Sequence, residues 1–134
     1  MSKPEMIPTE IGSLRGVRVL IVEDDADLRE NLADCLGIEG AEVFTAATGN
    51  SGFRRFMEIR PQVLLSDLWM PDGTGYDLIG IIRTLPPEAG GLTPAVALSA
   101  ANNASAALTA GFQVFVAKPC DLFTLVGVIA RLAA

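Results

Sequence analysis

Five short apolar runs, each followed by a stretch that reads as helix, constrain this chain more than any other feature. The first is Val17-Arg18-Val19-Leu20-Ile21-Val22; the others are 41–46, 62–66, 95–99 and 112–117. The runs are nearly continuous in Val, Leu, Ile and Ala, without the polar alternation of a half-wet strand, so they predict strands buried on both faces. The intervening stretches predict helices over 27–38, 48–59, 76–85, 101–109 and 121–132. In the first, Leu28, Leu32, Cys35 and Leu36 share a side; in the second, Phe53, Phe56 and Met57 point inward and Arg54, Arg55 and Glu58 outward. The fourth is weakly specified, because Ala-Asn-Asn-Ala-Ser-Ala-Ala has no charge and opens on poor helix formers. Asp121 is a good N-cap for the fifth. Strand and helix alternating in this way predict an α/β fold, a doubly wound parallel sheet with helices on both faces.

The 134 residues suit one domain, 16–134, behind a lead-in over 1–15 that is expected to be flexible. Net charge is −6 with no basic cluster, which argues against a nucleic-acid backbone as partner. No run is long enough for a membrane span and no signal peptide is apparent. Two cysteines, Cys35 and Cys120, make no disulfide framework and point to the cytoplasm; both read as structural. There is no histidine, so chemistry must run on carboxylates, hydroxyls, lysine or a metal.

Acids cluster where such a sheet binds ligands, beyond the carboxyl ends of its strands. Glu23 and Asp24 leave the first strand; Asp67 leaves the third. If those strands are neighbours, three carboxylates converge, and a hard divalent cation such as Mg²⁺ relieves their repulsion. Ser99 ends the fourth strand and Lys118 the fifth. A hydroxyl and an ammonium beside a metal-bound carboxylate suit a phosphoryl group, and the carboxylate can be its acceptor. Asp25 and Asp27 read as helix caps or surface acids.

The segments VLIVEDDADLR, LLSDLWMPDGTGYDLI, ALSA and AKP, in this order over about 16–133, resemble the receiver domain of two-component response regulators, the chemotaxis-regulator type included. The resemblance implies a flavodoxin-like five-stranded sheet of order 2-1-3-4-5. It implies Asp67 as phosphoacceptor, Asp24 as direct Mg²⁺ ligand, Glu23 acting through water, and the Trp69 carbonyl completing the metal ligands. Ser99 and Phe115 match the switch positions, Lys118 the family lysine, and Lys118–Pro119 is expected to be cis. Phe115 lacks the hydroxyl of the commoner Tyr, and Ser99 stands for the commoner Thr.

The implied partner is a histidine kinase or phosphotransfer protein. With no effector domain after residue 134, the chain reads as a stand-alone receiver or one excised from a hybrid kinase or larger regulator. It is expected to catalyse only its own phosphorylation and dephosphorylation. Phosphohydrolases of this chemistry carry an acid two residues past the nucleophile, where this chain has Trp69. The alternative is a receiver-like interaction module that works without phosphorylation. From Thr84 onward only Glu88, Lys118, Asp121 and Arg131 are charged, and the last helix looks apolar nearly all round. The fourth helix, fifth strand and fifth helix are therefore expected to form a docking face for a second copy or a partner.

Overall fold

The computed structural model describes residues 12–70, 74–100 and 103–134. Strands β1 (Arg18–Val22), β2 (Glu42–Ala46), β3 (Val63–Asp67), β4 (Ala95–Ser99) and β5 (Val114–Ala117) alternate with helices. The helices are α1 (Ala26–Ile38), α2 (Gly49–Ile59), α3 (Gly75–Arg83), α4 (Ala104–Ala110) and α5 (Leu122–Ala133), with a 3-10 turn at Pro87–Ala89. The sheet runs β2-β1-β3-β4-β5, parallel throughout, as the sequence predicts.

Burial follows that order. Every residue of the inner strands β3 and β4 is buried, while edge strands β2 and β5 stay partly exposed. Leu20, Val22, Leu64 and Ala97 face a layer of Phe56, Leu78, Ile79, Ile82 and Ala107 from α2, α3 and α4. Val19, Ile21, Leu65 and Leu98 face Leu32, Leu36, Leu125 and Ile129 from α1 and α5. Each such leucine removed from water contributes about 2 kcal/mol. Leu14 is fully buried in this second layer, and its N–H bonds to the Glu39 carbonyl. Packing therefore takes in residues ahead of 16, while residues 1–11 lie outside the described residues.

Local chemistry sets the helix starts. Asp25 accepts from the N–H groups of Asp27 and Leu28; Thr48 and Thr74 close capping boxes with Ser51 and Asp77; Asp121 caps α5. Two expectations need correction. Met57 is exposed: Phe53 and Phe56 of α2 pack into the core layer, and Met57 is not among the residues packed there. Strand β5 begins at Val114 rather than Phe112, whose ring is buried beside α4. In the last helix Leu125, Val126, Val128 and Ile129 are buried, while Thr124, Arg131 and the apolar Phe123 are exposed. The predicted start of the fourth helix at Ala101 lies outside the described residues; the helix runs from Ala104.

Register decides what meets at the carboxyl edge. Val22 pairs with Ser66, Asp67 with Leu98, and Ser99 with Ala117. Glu23, Asp67, Ser99 and Lys118 thus leave β1, β3, β4 and β5 at one level.

Candidate functional site at the carboxyl edge

The site opens where β1 and β3 lie side by side and their connections run to opposite faces of the sheet. Glu23 is only 1 % exposed and Asp67 6 %, while Asp24 is exposed to solvent. One carboxylate oxygen from each of Glu23, Asp24 and Asp67 lies within 4.8 Å of the others. Lys118 reaches in from β5: its Nζ is 2.9 Å from Glu23 Oε1 and 3.3 Å from Asp67 Oδ2. The Lys118–Pro119 peptide is cis, as expected.

Burial pushes the Glu23 carboxyl above the usual carboxylate range, against Lys118 and the Asp25 N–H, which donates to Oε2 at 3.1 Å. Burial works downward on the Lys118 ammonium, but Glu23 and Asp67 outweigh it and hold its pKa above the ordinary lysine value. Glu23 Oε1 is held by the Lys118 ammonium at 2.9 Å rather than by a neutral donor. The donor set is all carboxylate oxygen, which suits a hard divalent ion rather than zinc.

Ser99 is 1 % exposed at the end of β4, and its carbonyl accepts from Lys118 N–H at 2.9 Å. Trp69 is 56 % exposed; its backbone N–H points to Asp67 Oδ1 at 3.4 Å. Phe115 pairs with Ala97 across the sheet and packs, half-buried, on the layer that holds α3 and α4. The geometry thus brings Lys118 into contact with Glu23 and Asp67 and gathers Asp24 within 4.8 Å of those carboxylates, with Ser99 and Trp69 beside them. Phe115 stands apart from the carboxylates. Asp25 turns out to be the α1 cap, accepting from Asp27 N–H at 3.0 Å. Burial pushes the Cys120 thiol up, in keeping with a structural role.

Sequence reasoning missed four residues. Arg29 donates to the Glu23 carbonyl at 2.8 Å, laying a cation against the backbone of the acidic pair. Gly75 abuts the end of β3: a Cβ there would lie 2.2 Å from the Asp67 carbonyl oxygen, so only glycine lets α3 start so close. The segment LLSDLWMPDGTGYDLI contains it, but no local pattern shows what it packs against. Tyr76 and Asn103 meet through a hydrogen bond of 2.9 Å that no local pattern announces.

The sequence model of the response regulator receiver domain matches residues 19–130. The chain is 35% identical over 120 residues to an uncharacterized 14.6 kDa protein of Leptolyngbya boryana, covering 87% of this chain and 90% of that one. It is 36% identical over 120 residues to the transcriptional regulatory protein KdpE of Mycobacterium tuberculosis, covering 87% of this chain and 49% of the regulator, so it spans about half that relative's length. The chemotaxis response regulator CheY4 of Vibrio cholerae superposes with a TM-score of 0.79 at 26% identity, over 87% of this chain and 98% of that one. Its sheet order, its acidic edge and these likenesses agree: the chain belongs to the response regulator receiver domain family.

Proposed function

We propose that this receiver domain takes a phosphoryl group onto Asp67 from a phosphohistidine on a histidine kinase or phosphotransfer protein, and that a partner reads the surface that results. The observation that carries this reading is the Lys118 ammonium, 2.9 Å from Glu23 and 3.3 Å from Asp67. Three strands bring three ionised groups to one largely buried point, a costly arrangement that a packed core does not need. One Asp67 oxygen attacks phosphorus as the phosphorus–nitrogen bond to the donor imidazole breaks. The imidazole leaves and the carboxylate becomes an acyl phosphate. Lys118 meets the charge gathering on the phosphoryl oxygens, and the Ser99 hydroxyl donates to one of them. Mg²⁺, held by Glu23 through water, by Asp24 and Asp67, and by the Trp69 carbonyl, would supply the remaining positive charge.

Drawing Ser99 toward the new group frees space into which Phe115 packs. The surface that changes is α4, β5 and α5. Its α4 carries no charge, and Leu108 and Phe123 are each half exposed there. A second copy or an output protein would dock on that face. Catalysis goes no further than the domain's own phosphorylation and dephosphorylation. Trp69, two residues past Asp67, has no group to activate water. The two cysteines are free, which suits the cytoplasm, and no helix among the described residues is long and apolar enough to cross a membrane.

The sole tryptophan, Trp69, reports on the test. Mg²⁺ is titrated first, then beryllofluoride as phosphoryl mimic. A saturable Mg²⁺ response is expected, then a further Mg²⁺-dependent change that Asp67→Asn loses. No response to either, in folded protein, would overturn the phosphoacceptor reading in favour of a phosphorylation-independent module.

A further inference from the structure

Asn103 occupies the N-cap position of α4, yet its side chain makes no capping bond. A capping Asn normally contributes about 1 kcal/mol to its own helix. Here the amide turns away and donates to the Tyr76 hydroxyl at 2.9 Å, while its Oδ1 is buried without a partner among the described residues. Tyr76 sits in the first turn of α3, and its ring meets the Trp69 indole edge-on, with centroids 5.5 Å apart. The Trp69 N–H in turn points to Asp67 Oδ1 at 3.4 Å. A continuous line of contacts therefore joins Asp67 to the start of α4.

The far end of α4 is held differently. Arg83 donates to the carbonyl of Gly111, the residue that ends α4, at 3.0 Å and 2.8 Å. It also donates to Gly91 and Thr93 carbonyls at 3.0 Å and 2.8 Å. One end of α4 is clamped by a many-bonded guanidinium; at the other, among the described residues, the N-cap side chain offers one neutral hydrogen bond, with Ala107 buried between them. A short helix held so unequally has its clamped end as the natural pivot.

We propose that the Tyr76–Asn103 hydrogen bond is a latch that positions α4 from the acceptor loop, and that loading Asp67 opens it. The opening half rests on the phosphoacceptor reading above. Two displacements act on the latch together. A phosphoryl group on Asp67 competes for the oxygen that Trp69 N–H addresses, shifting the indole against Tyr76. Moving Ser99 inward draws on the chain that leads, four residues later, to Asn103. Tyr76 and Asn103 are positioning residues: neither touches the reacting atoms.

The test is amide hydrogen exchange in 104–110 for the wild type, Tyr76→Phe, Asn103→Ala and the double variant, each with and without Mg²⁺ and beryllofluoride. Tyr76→Phe keeps the ring against Trp69, so the fold is not at risk. Without the mimic, each single variant should exchange about five-fold faster in α4, the weight of one neutral hydrogen bond. The double variant should go no further, since both remove the same bond. With the mimic, the wild type should rise to that level while the variants change little. A mere prop would let the mimic multiply exchange equally in the wild type and Tyr76→Phe, and that result overturns the latch. So does wild-type exchange in the unloaded variants. If Trp69 registers no mimic at all, the acceptor reading and the opening half fall together, and the unloaded variants still decide whether the bond holds α4.

Discussion

On the charged side of the site, Glu23 after β1 and Lys118 after β5 are largely buried and in ion-pair contact across Asp67, with Arg29 bracing the backbone of the acids from α1. On the uncharged side, β4 ends in Ser99 and leads to a helix of seven residues whose N-cap side chain bonds to another helix. The first side is built to stay in place: its charges are buried, and moving any one leaves another uncompensated. The second side is held more lightly: its helix is short, carries no charge and has no side-chain cap. On the proposed reading, the charged side receives the phosphoryl group and the lighter side passes the event on.

That division can be broken by substitution, beginning on the rigid side. Lys118→Ala removes the only cation paired with the Glu23 and Asp67 carboxylates among the described residues. Phosphorylation by a small-molecule phosphodonor should slow on the order of a hundred-fold or more. Stopped-flow Trp69 fluorescence measures this, and a rate within a few-fold of wild type would remove Lys118 from the chemistry. Gly75→Ala places a Cβ 2.2 Å from the Asp67 carbonyl oxygen, a backbone atom of a central strand that cannot step aside. Urea denaturation should show a loss of about 2 kcal/mol. An unchanged midpoint would mean that α3 starts farther from β3 than described.

On the loose side the effects should be smaller and selective. Ser99→Ala should leave the Mg²⁺ titration of Trp69 unchanged and weaken beryllofluoride binding about ten-fold, the loss of one hydrogen bond to a charged group. Equal damage to both titrations would mean the two sides are not separable. Phe115→Ala, at a half-buried position on an edge strand, should cost about 1 kcal/mol and spare both titrations. The mimic's effect on α4 exchange should nonetheless shrink. An intact effect would make Phe115 a core residue with no part in the switch.

The rigid side was also the side legible in sequence. Strand-end acids announce themselves, because an ordinary strand leading into a helix has no use for Glu23, Asp24 and Asp67 together, and Lys118 before proline completes the set. The switch side was legible only as chemistry at Ser99 and as weakness in α4. Met57 shows the limit of periodicity: its place on the helical wheel was read as inward, but the packing leaves it exposed. The docking face was read from a lack of charge, yet much of α5 is apolar because it covers the sheet.

The sequence by itself determined the kind and order of the elements and which side chains stand at strand ends. Those properties depend on neighbours a few residues away: apolar runs, caps and glycine. Only the tertiary structure decided that Lys118 reaches Glu23 across the sheet edge, that Gly75 seats α3 against the end of β3, and that Asn103 bonds to Tyr76 rather than its own helix. These partners lie far apart along the chain, and strand order and register alone set their meeting. A side chain such as Asn103, with a local bond and a distant one of similar strength open to it, takes whichever the packing brings within 3 Å.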